Sequence, residues 1–229
     1  MADEPPTPPR DAEEPEDGEV AEATANASAA DAGPHPLEHK WTFWEQKKAE
    51  KKTMSKKEWG ELQRKLFTFD TVEEFWKYFA HVPPPTNVFY DGKAAKRVGK
   101  AGEERVIESF SLFKEGIAPE WEDSANISGG EWNLRTNRSM VAGIDDWWQN
   151  LVLGLVGHTI AEKDEICGAR IVDKSGNKGS NQVFRIELWL RTKDPKMIKA
   201  IRDKMIDVMT DGKPPRGFHD QFQWKMHGV

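Results

Sequence analysis

Pro119-Glu120-Trp121-Glu122-Asp123 is the stretch best equipped for chemistry. Gly116 to Pro119 on one side and Ser124 to Gly130 on the other are turn-forming, so periodicity places Trp121 in a loop. A loop tryptophan either plugs a core or offers a stacking platform. Glu122 favours the platform, because a carboxylate accepts two parallel hydrogen bonds and guanine presents such a pair in N1–H and N2–H2. A purine lifted onto an aromatic side chain and read along its Watson–Crick edge is a common form of single-stranded RNA recognition. Taken alone, the motif leaves both readings open.

The elements that must hold such a loop follow from the pattern of apolar residues. The first 34 of the 229 residues carry ten acidic groups against one basic and no aromatic, so residues 1–34 read as a disordered acidic Ala/Pro-rich tail. That tail accounts for the acidic balance of the whole chain and leaves residues 35–229 mildly basic, a length suited to one domain. Trp41, Phe43 and Trp44 mark a first strand. Lys47 to Lys57 is a solvated connection ending at Trp59, and Arg64 to Phe69 is a second strand. Thr71 and Glu74 make a capping box for a helix with Val72, Phe75, Trp76 and Phe79 at i, i+3, i+4 and i+7. Val72 and Trp76 share one edge of its stripe. Asn87 to Glu108 is hydrophilic and reads as a mobile loop. Strands follow at 110–113, 132–134, 166–172 and 183–190. A helix starts at Asp145 with Gly157 as its C-cap, and a third is capped by Asp194-Pro195. Residues 216–226 alternate loosely and close the sheet. On the strand 183–190, Trp189 shares the polar face with Arg185 and Glu187. The sum is an α+β domain, one curved antiparallel sheet with three helices on one face.

Composition excludes several classes. No apolar run approaches a membrane span, and the six histidines show no metal-ligand spacing. The single cysteine, Cys167, rules out an intrachain disulfide and reads as a small buried hydrophobe in a reducing compartment. Near Lys174 to Arg185 only Asp173 and Glu187 offer carboxylates, which argues against a nucleotide-hydrolysing enzyme. A Trp-lined groove for proline-rich peptides is a different class. Glu122 argues against it, since a polyproline ligand has no donor pair to engage a carboxylate.

Trp59, Trp121-Glu122 and the run Phe69-Asp70-Thr71-Val72-Glu73-Glu74-Phe75-Trp76 together resemble the eukaryotic translation initiation factor 4E family of mRNA cap-binding proteins. His35-Pro36-Leu37, Trp41, Trp44, Ser111 to Lys114, Gly129-Gly130, Trp132, Trp148, Gly157, Cys167-Gly168-Ala169 and Trp189 extend the match. The resemblance implies a non-enzymatic, cytoplasmic and also nuclear protein without cofactor or metal, monomeric apart from its partners. It implies a cap slot on the concave face, with the helices on the convex face. Trp59 and Trp121 would sandwich 7-methylguanine, whose positive charge adds a cation–π term of about 0.5–2 kcal/mol. Glu122 would read the base edge and Trp189 would meet the N7-methyl group. Lys174, Lys178 and Arg185 would meet the triphosphate of capped mRNA.

On the convex side His35, Pro36, Val72, Trp76, Asn150, Leu153 and Gly157 would receive a helix bearing a Tyr-x-x-x-x-Leu motif. Such a helix would come from a 4G-type scaffold or a 4E-binding protein. The alternative role for Trp76 is a core anchor. Glu131, where the family often has a basic residue, is expected to weaken the phosphate side, and Gln149 replaces a usual leucine at the partner surface. The resemblance stops short of the C-terminal loop that the family folds over the cap. It implies recruitment of a scaffold to mRNA for translation. A divergent member that represses translation or stores mRNA is the alternative.

Overall fold

β1 (Pro36–Lys47) is the strand from which the sheet is built. Side chains alternate across a strand, so Trp41 and Phe43 are buried on one face while Trp44 and Gln46 lie on the other. A computed structural model describes residues 33–49, 55–136, 138–161, 163–176 and 181–228. β2 (Gln63–Thr71), β3 (Ile107–Lys114), β4 (Gly130–Arg135), β5 (Ile166–Asp173), β6 (Phe184–Leu190) and β7 (Phe222–Met226) complete a seven-stranded sheet. Its order is β2-β1-β3-β5-β6-β4-β7, and every pairing is antiparallel. Pro34–Val229 is one compact unit. The unstructured tail expected over 1–34 falls almost wholly outside the described residues.

Three helices cover one face: α2 (Val72–Phe79), α4 (Ile144–Val156) and α5 (Pro195–Met209), in the order of two further short helices given below. Phe75 of α2, Trp148 and Leu151 of α4, and Ile201 and Met205 of α5 join Phe43, Leu112, Ala169, Ile186 and Leu134 of the sheet in a single core. The expected α+β architecture is met. No helix among the described residues is long and apolar enough to cross a membrane. Asp194 caps α5 by accepting from the Lys196 amide at 2.8 Å. Thr71 caps α2, but Glu74 accepts from the Asp70 amide (3.2 Å) instead of closing the box on Thr71. Gly157 caps α4 in an ordinary conformation, and the left-handed residue is its neighbour His158 (φ 53°).

Two segments differ from expectation. The connection after β1 carries α1 (Lys56–Leu62), with Trp59 on it. Its signal was Ser55-x-x-Glu58, a complete capping box: the Ser55 amide donates to Glu58 at 2.8 Å and the Glu58 amide to Ser55 Oγ at 3.3 Å. The segment 87–108 is anchored. It opens in α3 (Pro85–Val88), and Val88, Phe89 and Tyr90 are buried. The Tyr90 amide donates to Asp173 (2.9 Å), and Val98 and Arg105 bridge each other. These apolar anchors are consecutive, so a search for regular spacing passes over them. Arg105 then clamps the segment to β1, donating from Nε and Nη2 to the buried Glu45 at 2.5 and 2.7 Å.

Arg105→Ala leaves Glu45 with Arg64 alone, 3.2 Å away. A buried charged group short of a partner costs about 1–3 kcal/mol. Denaturant unfolding should register a loss of that order, with faster hydrogen exchange at the Val98 amide. Unchanged values for both would show that the clamp holds nothing.

Candidate functional site

The face turned away from the helices is polar. Across it, Arg170 of β5 stands opposite Glu187 of β6, Glu187 opposite Asn133 of β4, and Trp189 opposite Glu131. Trp189 is only 4% exposed. It meets Phe113 edge-on at 5.4 Å and His227 at 4.5 Å between ring centroids, and its Nε1 donates to Glu187 at 3.0 Å. Glu187 is fully buried, and its second oxygen pairs with the Arg185 guanidinium. One carboxylate therefore holds two of the expected site residues at once.

The Trp121 loop folds back over this floor. Phe113, Cys167 and Trp189 form a small apolar cluster, on which Ile117 and Ala125 of the loop rest. Asp123 accepts from the amides of Ala118 and Ala125, both at 2.9 Å. Asn126, fully buried, donates from Nδ2 to the carbonyls of Ala118 (2.9 Å) and Glu120 (2.8 Å). The Cys167 thiol donates to the Ala125 carbonyl at 3.4 Å, and burial pushes its pKa up, as befits a structural rather than a nucleophilic cysteine. With the loop secured by these groups, Trp121 is 51% exposed and Glu122 is exposed beside it. The packing-plug reading of Trp121 does not hold.

Trp59 is 37% exposed on α1. The register Gln63–Gln46–Ser109–Val172–Arg185 puts the β1–β2 and β5–β6 connections at one end of the sheet. The Trp121 loop leaves from the other end, after Lys114. Lys174 lies at the Trp59 end, 3.8 Å from Glu108. Burial draws its ammonium below the ordinary lysine range. Glu108 opposes that, and the neighbouring charges of Arg185 and Arg170 add to it. Lys178 falls outside the described residues.

Three participants escaped the sequence reading. Arg170 donates from Nε to Ser109 Oγ (3.2 Å) and from Nη2 to Gln46 Oε1, and so adds a cation to the floor. Glu187 had no role there. His227 donates from Nδ1 to the Asn126 carbonyl at 3.0 Å, with Nε2 3.2 Å from Glu131. The alternating pattern of 183–190 put Glu187 on the polar face, and nothing local marked the other two. Glu131 itself differs from expectation. It stands opposite Trp189, bonded to His227 and, at 3.0 Å, to Asn133. Burial would raise its pKa, but these hydrogen bonds outweigh that and hold it below the usual carboxylate range. Among the described residues no group of three or more His, Cys, Asp or Glu could hold a metal ion.

On the helix side, Val72 and Trp76 are exposed (37% and 48%), so Trp76 is no core anchor and Phe75 fills that place. His35 and Pro36 are exposed as well, and His35 is tied to Glu73 through its amide (3.0 Å) and Nδ1 (2.7 Å). Leu153 is half-buried and Gly157 exposed. Asn150 is half-buried, and its amide donates to the Met209 carbonyl at 3.0 Å, tying α4 to the end of α5.

Comparison with known proteins bears on all of this. Residues 36–227 match the family described as "Eukaryotic initiation factor 4E". The chain is 34% identical over 204 residues to eukaryotic translation initiation factor isoform 4E-2 of Zea mays, covering 88% of this chain and 82% of that protein. It is 37% identical over 163 residues to isoform 4E of Prunus domestica, covering 71% and 67%. Among solved structures, C. elegans eIF4E-3 in complex with the 4E-binding protein Mextli superposes with a TM-score of 0.61 at 24% identity, over 86% of this chain and 95% of that one. Ascaris suum eIF4E-3 with an m7G cap gives 0.62 at 22%, over 85% and 92%. At these identities the structures share the fold. On the family match and the curated relatives, this chain belongs to the eukaryotic initiation factor 4E family.

Proposed function

We propose that this chain binds the 7-methylguanosine 5′ cap of mRNA and brings it to the translation initiation machinery, without catalysing a reaction. The carrying observation is the Trp121 loop: Asp123 and Asn126 hold its backbone, and Trp121 and the adjacent Glu122 are left exposed. Trp121 and Trp59 stack on the base, and Glu122 accepts N1–H and N2–H2. Trp189 borders the methyl group through the small part of its ring that is exposed. Lys174, Lys178 and Arg185 meet the phosphates, joined by Arg170. That Ascaris suum eIF4E-3, of the same fold, was solved with an m7G cap supports the reading.

The helix side takes a partner. His35, Pro36, Val72, Trp76, Leu153 and Gly157 receive a helix carrying Tyr-x-x-x-x-Leu from a 4G-type scaffold or a 4E-binding protein. The complex of C. elegans eIF4E-3 with the 4E-binding protein Mextli is in keeping with this. The setting is the cytoplasm, with the nucleus as a second compartment. The buried lone Cys167 suits both.

Trp121→Ala should abolish retention on 7-methyl-GTP resin and Trp59→Ala nearly so. Each platform contributes about 1–3 kcal/mol per base, and both rings are exposed enough that melting should hardly move. Wild-type retention by Trp121→Ala would overturn the assignment. Glu122→Gln should cost more for 7-methyl-GTP than for its inosine counterpart, which lacks N2–H2, because an amide offers one acceptor and a repelling NH2. Tryptophan fluorescence quenching reads the difference, and equal losses would remove Glu122 from this role. Trp76→Ala should eliminate binding of a Tyr-x-x-x-x-Leu peptide, since a truncated anchor at such a surface costs over about 2 kcal/mol. Cap affinity should stay within about threefold. A joint fall in cap affinity and melting temperature would return Trp76 to the core.

A further inference from the structure

The far edge of the sheet holds a second surface that neither the cap slot nor the helix-receiving face uses. β7 pairs with β4 on one side, and among the described residues no strand pairs with its other side. The His227 amide donates to the Gly129 carbonyl at 3.0 Å. Hydrogen-bonded pairs alternate along an antiparallel ladder. This register therefore turns Gln223 and Lys225 toward β4, and aims the amides and carbonyls of Trp224 and Met226 outward. Unpaired strand edges are templates for another strand.

The side chains along the same edge complete the surface. Trp224 stands opposite Trp132, with the rings edge-to-face at 5.5 Å, and Met226 is 49% exposed. Between this edge and the first turns of α5 lies a groove of about 410 Å³, floored by Trp132, Ile198, Trp224 and Met226 and rimmed by Lys199 and Arg202. Arg202 lies over the Trp132 ring at 5.1 Å and pairs with Asp203. Lys199 is exposed on α5 and has no ion pair among the described residues. Of the residues lining the groove, Lys193, Lys199 and Arg202 are basic and none is acidic, so its helical wall is positive.

We propose that β7 and this groove bind an extended acidic segment of a partner protein, which adds to the sheet as an eighth strand. Main-chain hydrogen bonds to Trp224 and Met226 would supply the pairing. Alternate apolar side chains would enter the groove, and the acidic ones between them would face the exposed Lys225 on the sheet's polar side. The period of two in a strand matches this division, because successive positions on the edge face the groove and then the sheet's polar side. A single-stranded nucleic acid would also suit the positive wall, but it has no use for a ladder of backbone groups and little for an apolar floor. The peptide is therefore the favoured occupant.

The test uses the full chain and a synthetic peptide, acetyl-Glu-Val-Glu-Leu-Glu-Val-Glu-amide, followed by amide exchange and by titration. The peptide should slow exchange at the Trp224 and Met226 amides, leaving the Val72 and Trp76 region unchanged. Met226→Pro, which removes one outward donor, and Lys225→Glu, which reverses an exposed charge on the sheet's polar side, should each weaken binding at least tenfold. Lys225→Glu carries the test if Met226→Pro lowers the melting temperature. Any of three results would overturn the proposal: no protection of those amides at millimolar peptide, equal binding of the analogue with Lys in place of Glu, or stronger protection by an oligouridylate.

Discussion

The period-two alternation of β6 governs the rest of the structure. Phe184, Ile186, Leu188 and Leu190 enter the core under α4 and α5, while Arg185, Glu187 and Trp189 face the other way. A slip of one residue would send every side chain to the wrong face. The requirement that buries the core therefore also lays the floor of the site. Neighbouring strands repeat the division: Ala169 and Ile171 of β5 go to the core while Arg170 stays on the floor, and Leu134 of β4 goes to the core while Asn133 does not.

A floor of this kind is costly unless its polar groups satisfy one another, because buried charge without partners is strongly disfavoured. Glu187 answers both Arg185 and the Trp189 indole, and Arg170 answers Ser109 and Gln46. Glu131 answers His227 and Asn133. These pairings constrain the floor, although among the described residues Asn133 Oδ1 and Arg185 Nε lie buried without a hydrogen-bond partner. The loop above it is held from within by Asp123 and Asn126, and His227 joins the two by reaching the Asn126 carbonyl while its ring packs at a tilt against Trp189. A binding surface preorganised in this way loses less conformational freedom when a ligand arrives.

The fold was largely legible because its signals are local. Alternation gave the strands, and caps at Thr71 and Asp194 gave the helices that follow them. The segments that misled did so for physical reasons. α1 lacks an apolar stripe and rests on its capping box, while 87–108 is pinned by three consecutive apolar residues and by Arg105 reaching Glu45 across 60 positions of sequence. In the site, Trp121 and Glu122 were visible because they are adjacent. Arg170 and His227 act through distant partners (His227 meets Glu131 across 96 positions), and no spacing rule reaches that far.

The two proposed binding faces share one element. α1 runs directly into β2 at Gln63, and β2 runs into α2 at Val72, so Trp59 and Trp76 sit beyond opposite ends of a single strand. Nine residues at roughly 3.3 Å each set the span between them. Coupling through such a strand requires two discrete arrangements that both sites bias. β2 offers little room for a second one. Among the described residues it pairs only with β1, but that pairing holds from Gln63 to Thr71 with irregularities between Phe43 and Trp44 and between Pro36 and Trp41, and a bulge fixes register because sliding would displace it. Phe67 and Phe69 further lock the strand into the aromatic cluster with Phe43 and Phe75. The geometry therefore favours a rigid spacer that presents Trp59 at one end and Trp76 at the other.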